Sequence, residues 1–176
     1  VFYAHQPDRQ MYYEIGTDAA KAGFDFYGGA GWKQVFSPHD SSAIDLYSLL
    51  RDSGYMIIDH RQDFQALSAG AGKVVYVQPK DCVNPSSLPA AIDRKEGDLT
   101  LANITEKAIQ FLSTRNETGF FLMVEGGVID WLCHANDGAA AFREVVDFSE
   151  TIQVALDFYK AHPNETLIIV TADHET

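Results

Sequence analysis

Cysteine is scarce in this chain. There are two, Cys82 and Cys133, far apart in sequence, so no disulfide framework can be read; they either pair or stay free. Positive charge is also short, with 13 Lys and Arg against 25 Asp and Glu and a formal net charge of -12. Without a basic stripe to neutralise phosphates, nucleic acid is disfavoured as a partner. The same acidity repels an anionic substrate unless bound cations reverse the local field. Long apolar runs are missing too. The longest, Phe120 to Val124 and Leu167 to Val170, fall far below the roughly 20 residues that span a bilayer, so no membrane span is expected. No signal peptide is visible, and the chain starts at Val1, which reads as a processed or truncated piece. Internal repeats, low-complexity stretches and linkers are absent, so residues 1–176 read as one domain. What remains is an ordinary globular composition, 46% hydrophobic and 22% charged. Asn103, Asn116 and Asn164 each open an Asn-x-Thr sequon, a short pattern that recurs by chance.

The pattern alternates helix and strand. Residues 11–22 read as a helix stopped by Gly23. Phe24 to Tyr27 read as a strand closed by Gly28-Gly29. Ser41 to Ser53 carry apolar residues at helical spacing, with Gly54 as the stop. Tyr55 to Ile58 and Lys73 to Val77 are strands, and 78–97 is an irregular excursion rich in proline. A helix is expected from the cap Asp98 to Arg115, with Leu99, Ile104, Ala108, Ile109 and Leu112 inward. Phe120 to Val124 is a strand. A long helix over 136–162 follows, with Val145, Phe148, Ile152, Ala155, Leu156 and Tyr159 inward and Pro163-Asn164 ending it. Leu167 to Thr171 is the last strand. Strand, helix and strand joined by short connections give a mainly parallel sheet with helices on its faces.

Chemistry gathers beyond the carboxyl ends of such strands. After Phe120 to Val124 come Glu125, Gly126-Gly127, Asp130 and His134; after Leu167 to Thr171 come Asp173, His174 and Glu175. Neighbouring strands would bring five of these, Glu125, Asp130, His134, Asp173 and His174, to one rim. So many carboxylates repel one another unless divalent cations neutralise them. Mixed His and carboxylate ligands suit zinc, and an oxygen-only position suits magnesium. The four-residue gap from Asp130 to His134 puts both on one face of a helical turn. Each piece alone has a plainer reading. Asp130 and His134 are then a surface helix pair, Asp173-His174 a turn, and Gly28-Gly29-x-Gly31 a post-strand loop. Trp131 either packs beside a substrate or is simply half-buried.

At these residues the chain resembles the alkaline phosphatase family. FFLMVEGGVIDWLCHAND, from Phe120 to Asp137, is similar to that family's zinc- and magnesium-binding segment, and IVTADHET, from Ile169, to its second zinc segment. Ala4 to Arg9 resembles the segment bearing the phosphate-binding arginine, and Gly28 to Trp32 the glycine-rich turn. The resemblance implies a three-layer α/β/α fold, present here as an internal portion of a larger catalytic domain. It implies two zinc ions and one magnesium. Glu125 would hold magnesium, Asp130 and His134 the first zinc, Asp173 and His174 the second. Arg9 would grip the substrate phosphate through its planar fork of donors, and Trp131 would stand near the magnesium. Phosphomonoester substrates, export from the cytoplasm and a homodimer complete what the resemblance carries.

The departures matter as much. The family's nucleophilic serine, in an Asp-Ser-Ala context, has no counterpart here; Ser41-Ser42 and Ser86-Ser87 lack the setting. A bridging aspartate, further magnesium ligands and a zinc-binding histidine are also missing. Catalytic zinc usually has three protein ligands, and each zinc here has two. The chain alone is therefore expected to be inactive. Two other readings stay open. One is a different metal-dependent hydrolase of the same superfamily, such as a phosphodiesterase, sulfatase or phosphoglycerate mutase. The other is a non-catalytic α/β domain that merely chelates ions.

Overall fold

The computed structural model describes residues 3–68, 70–78, 87–115 and 117–175. Three parallel strands form the sheet: β1 (Phe26–Gly29), β2 (Tyr55–Ile58) and β3 (Lys73–Val77), in the order β1-β3-β2. The most buried strand, β3, takes the centre, where both of its faces are covered. Side chains alternate across it. Val74 and Tyr76 enter a core with Ile58 and with Phe64, Ile104, Phe111 and Leu112 from helices on that face. Val75 enters a second core with Tyr55, Ala20, Leu46 and Leu50 on the other face. Helices α1 (Tyr12–Ala22) and α2 (Leu46–Asp52) thus cover one face, and α3 (Arg61–Gln65) and α4 (Leu101–Ser113) the other. This is the expected α/β sandwich, with a small sheet.

Several boundaries differ from the sequence reading, each for a local reason. β1 runs on through Gly28 and Gly29, paired with Tyr76 and Val77. A Cβ at Gly28 would meet the Phe26 ring at 2.8 Å and Ile104 at 2.9 Å, so this glycine serves close strand–helix approach instead of a turn. α2 begins only at Leu46, because the Asp45 carboxylate accepts from the Ser48 amide and caps it there. Those bonds, with the Ser48 hydroxyl foremost, hold the Asp45 carboxyl below the usual range. α3 was not anticipated; Phe64 is its one buried residue. α4 is capped by Thr100, not Asp98. Thr100 Oγ1 accepts from the Asn103 amide, and Asn103 Oδ1 accepts from the Thr100 amide. Asp98 instead accepts from the Lys95 amide. Thr100→Ala is therefore expected to cost about 1 kcal/mol, read as a lower urea midpoint with unchanged slope; an unchanged midpoint would show that the reciprocal cap contributes nothing.

The long helix expected over 136–162 is α6 (Gly138–Ala161), and a separate short helix, α5 (Val128–His134), precedes it. Asn136 adopts φ 57°, the Asp137 amide reaches back to the Leu132 carbonyl, and the Asn136 amide to Cys133. That is a left-handed helix stop. Asp137 then caps α6 through the Ala140 amide. Only one face of α6 is covered. It buries Ala140, Ala141, Glu144 and Thr151, whereas Val145, Leu156 and Tyr159, expected inside, are exposed. The two apolar runs expected as strands at 120–124 and 167–171 carry no ladder among the described residues. The first still alternates in burial, with Phe120 and Leu122 against the α4 core and Phe121 and Met123 outward. In the second, Leu167, Ile169 and Val170 are exposed. Hydrophobic patterning makes a segment ready to pair, but a ladder also needs a neighbour in register.

Cys133 is a free, half-buried thiol; Cys82 and Asn116 lie outside the described residues. No helix among the described residues is long and apolar enough to cross a membrane.

Candidate metal centre

Asp130 and His134 sit on α5 one turn apart, as their spacing predicts. Asp130 Oδ1 and His134 Nε2 are 3.4 Å apart. Asp173 Oδ2 and His174 Nε2 are 3.5 Å apart after the second apolar run. A tetrahedral zinc with bonds of roughly 2.0–2.1 Å sets its ligand atoms about 3.4 Å from one another. Each pair thus already stands at the separation such an ion imposes. His174 adds a detail of tautomer. Its Nδ1 faces the Glu175 carbonyl at 2.9 Å, and a carbonyl only accepts. In the neutral ring the proton therefore sits on Nδ1, and Nε2 is the nitrogen a metal would take. The Glu175 carbonyl first, then the charges of Asp173 and Asp130, raise the His174 pKa above its ordinary value. Asp130 thus lies within electrostatic reach of the second pair.

Convergence of all five residues on one rim is not what the structure shows. Among the described residues, no three His, Cys, Asp or Glu side chains are close enough to hold one ion. The two pairs remain pairs, and Glu125 stands apart from them. Its carboxylate lies beside Gly127, where a Cβ would meet Oε1 at 3.5 Å. The reason is that the two runs carrying these residues are not laddered to each other. Trp131 is exposed and lines, with Glu125, a cavity of about 800 Å³. Arg9 is exposed in the turn closed by the Met11 amide on the Asp8 carbonyl, and it does not line that cavity.

One cluster escaped the sequence reading. Arg94 makes a two-pronged ion pair with Asp147, its Nη2 2.7 Å from Oδ2, and the Ala91 amide donates to the buried Glu144. The hydrogen bonds that Arg94 donates to Asp147 raise the Arg94 pKa. These contacts tie the proline-rich excursion to α6. The partners are 53 residues apart, and no local motif signals them.

Residues 37–176 match the sequence model of the family described as alkaline phosphatase. The chain belongs to the alkaline phosphatase family. It is 35% identical over 146 residues to alkaline phosphatase 3 of Bacillus subtilis, covering 83% of this chain and 29% of that protein. It is 51% identical over 81 residues to the alkaline phosphatase of Escherichia coli, covering 46% of this chain and 17% of that protein. Its fold superposes on the cold-active alkaline phosphatase of a Shewanella species with TM-score 0.75 and 32% identity, over 92% of this chain and 37% of that one. It superposes on the alkaline phosphatase of the Antarctic bacterium TAB5 with TM-score 0.76 and 29% identity, over 93% of this chain and 45% of that one. A variant of the TAB5 enzyme has been solved with magnesium bound in its M3 site. The chain therefore spans less than half the length of these alkaline phosphatases.

Proposed function

We propose that this chain is an internal portion of the catalytic domain of a metal-dependent phosphomonoesterase, and that it supplies two ligands to each of two zinc ions. The observation that carries the reading is the pair of carboxylate–imidazole contacts, at 3.4 and 3.5 Å, each at the separation tetrahedral zinc requires. Asp130 with His134 and Asp173 with His174 would hold the zincs, and Glu125, an oxygen-only donor, would hold magnesium. Bound there, the ions would stabilise the attacking and leaving oxygens of an in-line displacement at phosphorus. The chain's own residues do the preparatory work. α5 holds Asp130 and His134 on one face, and the Glu175 carbonyl, accepting from Nδ1, favours for neutral His174 the tautomer that offers Nε2 to a metal. Arg9 would bind two equatorial phosphoryl oxygens through its guanidinium fork. Trp131 would flank the substrate near Glu125.

The nucleophile is a serine outside this chain, and the reaction passes through its phosphoserine ester. Export and a homodimer accompany the same reading. The isolated chain, with two ligands per zinc and no nucleophile, is expected to bind zinc weakly and to release no phosphate from p-nitrophenyl phosphate. Incubating the purified 176-residue chain with zinc and the ester tests this directly. Zinc-dependent turnover would overturn the assignment of the nucleophile to another segment.

A further inference from the structure

Arg94, Glu144 and Asp147 line the same cavity as Glu125 and Gly126. No step proposed above uses the first three. Arg94 Nη1 and Nη2 donate to the two carboxylate oxygens of Asp147, and the Ala91 amide donates to Glu144 Oε1. The ion pair is largely out of water, its side chains 17% and 12% exposed. Two-pronged bonds between ionised groups fix direction as well as distance, which apolar packing does not. Glu144 and Asp147 are three residues apart on α6, about 4.5 Å along its axis. Held at both points, that turn cannot rotate or slide without breaking one of them.

Phe148 follows Asp147 directly and lies about one turn beyond Glu144. Its ring backs the turn that carries Glu125. A Cβ on Gly126 would stand 3.1 Å from Phe148 Cδ2 and 3.2 Å from Ile129 Cδ1. Gly126 is wedged between the two, and its carbonyl accepts from the Ile129 amide. Close-packed contacts transmit displacement. Where this turn of α6 sits therefore decides where Gly126 and its neighbour Glu125 sit. Phe158, which packs on Phe120, is near the far end of α6 and leaves the earlier turn to the clamp. We propose that Arg94 is a positioning residue for Glu125. Through Asp147 it sets the α6 turn that carries Phe148, and Phe148 sets the backbone from which the Glu125 carboxylate projects. This rests on the reading of Glu125 as the magnesium ligand. Groups behind a metal ligand commonly change metal affinity 10- to 100-fold. Lysine in place of Arg94 keeps the charge but not the planar fork, so it loosens the turn without leaving Asp147 facing no cation.

Arg94→Lys, Phe148→Leu and the double variant, made in the longer protein proposed to contain this chain, test the proposal. Magnesium affinity, titrated by calorimetry, is expected to weaken about 10-fold in each single variant. Both act along one path, so the double variant should bind no more weakly than the weaker single. Effects that multiply in the double variant, or an unchanged affinity in Arg94→Lys, would overturn the proposal. Turnover of p-nitrophenyl phosphate lost in Arg94→Lys should return as magnesium is raised. A loss that persists at saturating magnesium would leave the ion pair a stabilising contact and nothing more. Single-amide hydrogen exchange with all metals chelated reads the same turn without the ion. The Ile129 amide, bonded to Gly126, is expected to exchange about 10-fold faster in Arg94→Lys, and the Val74 amide in β3 at its former rate. Equal acceleration of the two, or an unchanged Ile129 amide, sinks the positioning role whatever the magnesium result. If the parent protein binds no magnesium, the reading of Glu125 fails, and the Ile129 amide alone decides whether Arg94 positions the turn.

Discussion

Replacing Asp130 and His134 together by alanine in the longer protein proposed to contain this chain is expected to lower p-nitrophenyl phosphate turnover by at least about 100-fold. Changes merely behind a metal ligand commonly cost 10- to 100-fold in affinity or activity, and these residues are proposed to touch the ion itself. Zinc content of the purified variant should fall with the rate. Folding is a weak rival explanation. The His134 side chain is 70% exposed and that of Asp130 36%, and α5 buries no residue. Surface substitutions of this kind usually change stability by less than about 0.5 kcal/mol. The circular dichroism spectrum and urea midpoint should therefore match the parent enzyme. Unchanged turnover with unchanged zinc would remove Asp130 and His134 from the metal site and leave them an ordinary i, i+4 surface pair.

The largest expected stability loss is at Phe64. Phe64→Ala should destabilise the chain by about 3–5 kcal/mol. The ring is 2% exposed, lies 4.1 Å centroid to centroid from Tyr76, and shares a core with Ile58, Val74 and Phe111. It is also the one buried residue of α3, a helix too short to hold itself by backbone bonds alone. Truncation would leave a cavity between α3 and β3 and remove what anchors the helix. Domains of this kind typically have only about 5–15 kcal/mol in total, so a large drop in urea midpoint is expected. Phe64→Leu should cost less, because most of the volume stays. A loss below about 1 kcal/mol for the alanine variant would mean the site closes over the gap, contrary to usual core behaviour.

Legibility followed the range of the interactions. β2 and β3 matched the sequence reading residue for residue, because continuous apolar runs between Gly and polar residues are local signals. α1 and α4 matched to within three residues at each end. Their caps were less legible: Asp98, Thr100 and Asn103 all offer side-chain acceptors, and only the folded loop shows which one meets an amide. Asn136 was read as helix, since a left-handed stop at Asn leaves no trace in hydrophobic spacing. Phe64 and Arg94 could not be picked out. Their importance lies in partners brought from β3 and α6.

The sequence by itself determined the family, the parallel α/β architecture and the local pairs Asp130 with His134 and Asp173 with His174. All of these rest on residues near one another along the chain. The tertiary structure decided what depends on distant segments meeting. It set the order of the three strands. Among the described residues it kept Glu125 apart from both pairs and left the 120–124 and 167–171 runs without ladders. Patterning specifies which face of a segment is apolar, but pairing needs a second backbone at hydrogen-bonding distance and in register. That second backbone is a property of the assembled fold.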